Sequence, residues 1–228
     1  MDKLKVLDLF SGIGGFSLGL ERTGGFETAA FCEIDHFCKK VLKKHWPDVH
    51  IYNDVTNDFF EEDIDVVCGG FPCQPHSNAS RGRKTAICLW PKMFDKIARH
   101  RPRYVIAENV QEKPIRKAEN DLHALGYSTT IKRISAHEIG ADHQRNRWWL
   151  IAHPNDNGKL QSTIDAKVAE LQKSHKGVWG WKNYARAFRV SDGFSDRMDR
   201  LKSLGNAVLP QIPEIIGHAI LAAEGATP

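Results

Sequence analysis

The sequence predicts an α/β fold built on a mostly parallel sheet, and three observations carry that prediction. Short apolar, β-branched runs alternate with stretches whose apolar residues recur every three to four positions. A glycine-rich turn, Gly12–Ile13–Gly14–Gly15, joins the first of these runs to the first helical stretch. The alternation continues to Ala152 and then stops at a cluster of turn formers, His153–Pro154–Asn155–Asp156–Asn157–Gly158.

In chain order the predicted strands are Lys5–Phe10, Thr28–Cys32, Val66–Cys68, Tyr104–Ala107, Thr129–Ile134 and Trp148–Ala152, each an apolar run short enough to cross a sheet once. A further strand is expected to end near Asp54. Between the strands, Phe16–Arg22, Phe37–Lys44, Pro91–Arg99 and Ile115–Leu125 carry helical spacing and read as crossover helices. From Lys159 to about Arg200 the chain reads as polar, basic and irregular, although it contains Trp179 and Trp181. Leu209–Pro210 then opens an apolar helix, Ile212–Ala223, expected to pack back on the first unit. The expected division is 1–152, 153–200 and 201–228. At 228 residues, one large core is the default.

Composition excludes two classes. A 41% hydrophobic and 26% charged chain is not a disordered one, and no apolar run approaches the roughly 20 residues needed to cross a bilayer. An odd number of cysteines, five, together with a start that lacks a long apolar stretch, points to a reducing cytoplasm. The formal net charge of +4 is unevenly spread. Residues 81–103 hold eight basic side chains against Asp95 alone, and residues 145–202 hold twelve against six acidic ones. The rest is net negative, so one face can attract phosphate while others repel it.

Two loops carry the chemistry. In Asp8–Phe16 the glycines let backbone approach a ligand at a helix N-terminus, but Gly12 and Gly14 are followed by Ser17 where the dinucleotide fingerprint requires glycine. A different adenosyl cofactor is favoured over a nicotinamide one. Glu33 stands 21 residues after Gly12, where an acid receives ribose hydroxyls, and Asp54 ends the following region. In Val66–Pro75, Cys73 lies just beyond a strand's carboxyl end between Pro72 and Pro75, which restrict the backbone and fix the aim of a nucleophile. A Cys73/His76 hydrolase dyad is the weaker alternative. There is no C-x-x-C and no H-x-E, and His137 and His143 are six apart rather than four, so no metal is expected.

These loops and three later segments together resemble the DNA (cytosine-5) methyltransferase family. Asp8–Phe16 resembles its cofactor loop, and Gly70–Phe71–Pro72–Cys73–Gln74 its proline–cysteine loop. Glu108–Asn109–Val110 resembles its glutamate motif, His143–Gln144–Arg145–Asn146–Arg147 its arginine motif, and Leu204–Gly205–Asn206–Ala207–Val208 its terminal motif. The resemblance implies a Rossmann-like, doubly wound sheet of the class I methyltransferase type with a small irregular target-recognition module. It implies S-adenosylmethionine held by Asp8, Phe10, Gly12, Gly14, Gly15, Glu33, Ile34, Asp54, Val55, Pro72, Asn206 and Val208. Cys73, Glu108, Arg145 and Arg147 become the catalytic set. Gln74, Ser77, Arg81, Arg83, Trp179 and Arg186 become DNA contacts, although Trp179 and Trp181 fit a small core at least as well. The implied partner is double-stranded DNA, bound by a monomeric, short bacterial or phage-type enzyme in the cytoplasm. A cognate restriction endonuclease stays open.

The sequence departs from the family in three places. His76 replaces the usual aromatic, Asp142 replaces a commoner proline, and the recognition region is short. Two alternatives follow: a transfer-RNA cytosine methyltransferase, against which Ser77 weighs, and a catalytically silent DNA-binding relative.

Overall fold

The computed structural model describes residues 2–56, 63–73, 88–139, 145–154, 158–174 and 207–225. The elements in chain order are β1 (Leu4–Leu9), α1 (Gly15–Arg22), β2 (Phe26–Cys32), α2 (His36–His45), β3 (His50–Tyr52), β4 (Val66–Gly70), α3 (Trp90–His100) and β5 (Tyr104–Asn109). They continue with α4 (Glu112–Ala124), β6 (Ser128–Ser135), a 3-10 turn (His137–Ile139), β7 (Asn146–His153), α5 (Lys159–Ser174) and α6 (Gln211–Ala223). The strands form one seven-stranded sheet in the order β3-β2-β1-β4-β5-β7-β6. The first five are parallel, and β7 inserts antiparallel between β5 and β6.

Strand periodicity decides which face each residue feeds. Val6, Val66, Cys68, Tyr104, Ile106, Trp149 and Ile151 enter one core, closed by Phe16 and Leu20 of α1 and by Ile212, Ile215 and Ile216 of α6. Their neighbours Leu7, Leu9, Val67, Val105, Ala107, Leu150 and Ala152 enter the other, closed by Met93 and Ile97 of α3 and Ile115, Ala118 and Leu122 of α4. A strand covered on both faces reads as an unbroken apolar run, which is why β5 was legible.

Helix α6 packs on α1 within the first core, and Glu224, just past it, accepts hydrogen bonds from the Tyr104 hydroxyl of β5 and from the preceding Arg103. One expectation is corrected. Residues 159–174 are not irregular but form α5, whose Leu160 and Ile164 are fully buried and whose Val168 packs against the same core. These three lie four residues apart on one helix face, a stripe too sparse to stand out from its polar surroundings. Among the described residues no helix is long and apolar enough to cross a membrane.

Candidate active site at the carboxyl edge of the sheet

From β1 the chain steps outward through β2 to β3 and then crosses back to β4 on the other side of β1, and this reversal of direction opens a crevice beyond the carboxyl ends of these strands. The loop after β1 crosses that crevice with Phe10, Gly12 and Gly14 all at positive φ (55°, 55° and 85°). At Gly14 a side chain would be strained by φ and would also drive its Cβ to 2.7 Å from the Trp46 ring. Gly15, which opens α1, lies so close to the segment before α6 that a Cβ would sit 2.4 Å from the Val208 carbonyl oxygen.

Hydrogen bonds tie this loop to β2. The Ser11 hydroxyl donates to the Asp8 carbonyl (2.6 Å) and accepts from the Cys32 amide (3.2 Å). Glu33, 9% exposed, accepts from the Gly12 amide through Oε2 (2.6 Å) and from the Asp35 amide through Oε1 (2.7 Å). An ionised carboxylate offers about four lone-pair sites, so two remain for hydroxyls of a ligand. Ile34 beside it is 75% exposed, an unusual setting for a large apolar side chain and a ready platform for an apolar ring. Asp54 accepts from the Thr56 amide (2.8 Å), which holds its carboxyl below the usual range, and Val55 is buried. The charge, the backbone cradle and the apolar platform fit an adenosyl group with free ribose hydroxyls.

Asp8 is placed differently from expectation. It is fully buried beneath the loop, where its Oδ2 accepts from the Ser17 hydroxyl (2.9 Å) and amide (3.3 Å), so it holds the start of α1 rather than facing a ligand. Burial pushes its carboxyl up to about 8 against the opposing pull of the Ser17 hydrogen bonds.

The other half of the edge carries titratable side chains. Glu108, near the end of β5, pairs in register with Gly70 on β4 and Trp149 on β7. Because β7 runs antiparallel, its amino end lands at this same edge, and Arg147 Nε reaches Glu108 Oε1 at 2.7 Å. Burial raises the Glu108 carboxyl above its ordinary value, opposed by Arg147 and then Arg145. Arg145 Nη1 donates to the Ala207 carbonyl (2.5 Å), so this arginine braces the terminal segment against the active edge. Asn109 Nδ2 donates to the Phe71 carbonyl (2.9 Å), and Phe71 packs on Trp90 with ring centroids 5.2 Å apart, fixing the entry to the Cys73 loop. Pro72 is exposed, and Cys73 is half-buried with its thiol raised to about 11 by burial and by the Cys88 thiol.

The structure therefore gathers Phe10, Gly12, Gly14, Gly15 and Glu33 at one end of the crevice, with Val208 behind Gly15, and joins Glu108 to Arg147 at the other. Gln74, Ser77, Arg81, Arg83, Trp179, Arg186 and Asn206, with His76, Asp142 and Trp181, lie outside the described residues. Two neighbours of the site, Cys88 beside Cys73 and Asn109 beside Glu108, were missed individually. Asn109 had a signal, its place after Glu108 at a strand end. Cys88 had none, because only backbone pairing brings it to Cys73.

The chain is also similar to known proteins. The model of the C-5 cytosine-specific DNA methylase family matches residues 4–192. The chain is 35% identical over 165 residues to the Type II methyltransferase M2.BsuMI of Bacillus subtilis (strain 168), covering 65% of this chain and 42% of that protein. It is 27% identical over 223 residues to the Type II methyltransferase M.CviJI of Paramecium bursaria Chlorella virus IL3A, covering 90% and 56%. The chain thus spans about half the length of the curated relatives it matches. Among solved structures, one described as a DNA modification methyltransferase encoded within an E. coli prophage superposes with a TM-score of 0.53 at 30% identity, over 67% of this chain and 47% of that one. Spodoptera frugiperda DNMT2 shares the fold, with a TM-score of 0.55 at 15% identity over 97% and 98% of the two chains.

Proposed function

The chain belongs to the C-5 cytosine-specific DNA methylase family, and from that premise we propose that it methylates carbon 5 of cytosine in double-stranded DNA with Cys73 as the covalent nucleophile. The observation that carries this is the pairing of buried Glu108 with half-buried Arg147 at the sheet edge that also launches the Cys73 loop. S-adenosylmethionine, when bound, supplies an electrophilic methyl group, and Phe10, Gly12, Gly14, Glu33, Ile34, Asp54 and Val208 would hold it.

Carbon 5 of cytosine is a poor nucleophile. The Cys73 thiolate adds to carbon 6, which makes carbon 5 enamine-like and places negative charge toward ring nitrogen 3. Glu108 in its protonated form donates to that nitrogen, and burial favours the neutral carboxyl it needs. Arg147 steers the Glu108 carboxyl and offers planar donors to the base oxygen, a fork that lysine cannot copy. Once carbon 5 carries the methyl group, loss of its proton restores the ring double bond and expels Cys73. The target atom lies inside a stacked duplex, so the cytosine must leave the stack at a cost of a few kcal/mol. Basic residues of the 81–103 window supply phosphate contacts that offset it. On this account residues 1–152 bind cofactor and react, target choice falls to 153–200, and 201–228 close the cofactor side. The enzyme acts in the cytoplasm as a monomer and uses no metal. The Type II relatives favour DNA and a restriction setting, with a cognate endonuclease as companion.

Transfer of labelled methyl from S-adenosylmethionine to unmethylated duplex DNA, with transfer RNA alongside, tests this. Label in DNA that vanishes in Cys73→Ala is expected. Label in RNA alone, or undiminished label in the variant, would overturn it.

A further inference from the structure

We propose that Cys73 and Cys88 form a reversible dithiol–disulfide site that switches the nucleophile off under oxidation. The inference rests on the assignment of Cys73 as nucleophile, but its geometric basis is separate. Cys73 and Cys88 face each other across an isolated antiparallel bridge. The Leu89 amide donates to the Pro72 carbonyl at 2.8 Å, one residue outside the pair, which makes Cys73–Cys88 a non-hydrogen-bonded pair. In such pairs the Cα atoms lie about 4.5 Å apart with side chains on the same face, inside the roughly 4.4–6.8 Å that a disulfide spans.

Both strands of the bridge are anchored. Asn109 holds the Phe71 carbonyl on one side, and Leu89 leads directly into α3, whose Trp90 packs on Phe71 and donates Nε1 to Asp121 Oδ2 at 2.7 Å. The two thiols therefore meet without backbone rearrangement. They are also the two partly exposed cysteines, whereas Cys32, Cys38 and Cys68 are buried, with burial raising the Cys32 thiol to about 12 and holding the Cys68 thiol well above its ordinary value. Oxidant access thus coincides with proximity. A diazene oxidant accepts the Cys73 sulfur at one nitrogen; Cys88 then attacks that sulfur, the S–S bond forms, and the hydrazine leaves with both protons and both electrons. A reducing dithiol reverses the change by exchange. With its sulfur in the disulfide, Cys73 has no electron pair to add to carbon 6.

The full chain treated with diamide tests the site. Wild type should lose 2 Da, yield a peptide linking Cys73 to Cys88, and lose at least tenfold in methyl transfer to DNA, with full recovery in dithiothreitol. Cys88→Ala should methylate normally before treatment and, lacking the second thiol, should neither lose 2 Da nor form a linked peptide in diamide. No linked peptide in wild type, or a 2 Da loss that persists in Cys88→Ala, would overturn the switch. A linked peptide in a protein whose reduced form never methylates would instead overturn the assignment of Cys73 as nucleophile and, with it, the switch.

Discussion

The two ends of the crevice are built on different principles. On the β1–β2 side, position is fixed by backbone: positive-φ residues, a loop tied to β2 through Ser11, and a glutamate satisfied by two amides. On the β4–β5–β7 side it is fixed by side chains that carry or lose charge, namely Glu108, Arg147, Arg145 and Cys73. A bound cofactor needs a cradle whose shape does not change, whereas the reacting edge must move protons. Damage to the first side should therefore appear in folding and cofactor affinity, and damage to the second in turnover.

After loss of the Cys73 nucleophile itself, the largest effect on turnover is expected at Glu108. Glu108→Gln should lower single-turnover methyl transfer about 10²- to 10³-fold near neutral pH, because the amide cannot give up a proton to ring nitrogen 3. Its pH profile should change as well. Wild type needs Glu108 protonated and Cys73 ionised, so between the raised Glu108 value and about 11 the two requirements offset and the rate stays flat. In Glu108→Gln only Cys73 titrates, and the rate should climb about tenfold per pH unit from 7 to 9. A flat profile in the variant would remove Cys73 ionisation from the mechanism.

Gly15→Ala should act on the opposite side. Its Cβ meets a backbone oxygen that no rotamer change can move, a strain of about 1–3 kcal/mol. Urea denaturation should show that loss, and calorimetry weaker S-adenosylmethionine binding, while turnover at saturating cofactor stays within a few-fold of wild type.

The effect at Asp8 leaves turnover aside and concerns stability alone. The folded chain keeps a proton at Asp8 up to about pH 8 that the unfolded chain releases near 3.8. Stability from this group is complete below pH 3.8 and is lost as pH rises to about 8. Between pH 5 and 8 the melting temperature of wild type should fall relative to that of Asp8→Asn, which keeps a neutral partner for Ser17. Parallel melting curves would show that Asp8 is ionised inside the protein.

Legibility in the sequence followed the range of the interactions. The strands through β5 and the loops at Gly12 and Cys73 were readable because local spacing and turn chemistry determine them. Glu108 was readable as the acid at a strand end, but its contact with Arg147 depends on β7 running backwards, which no local pattern encodes. Helix α5 was hidden because its described core contacts, Leu160, Ile164 and Val168, form a sparse stripe, and the Cys73–Cys88 pair because it joins residues fifteen positions apart. Asp8 was read as a ligand contact because its motif position is visible and its burial is not.

The central claim, that Cys73 attacks the cytosine ring within this crevice, is tested most directly by trapping. Duplex DNA carrying 5-fluorocytosine, incubated with the protein and S-adenosylmethionine, cannot lose fluorine as a cation after methyl transfer, so the adduct should persist as a denaturant-stable complex with Cys73 as the linked residue. A complex that forms equally with Cys73→Ala, or none from a protein that methylates ordinary DNA, would contradict the account.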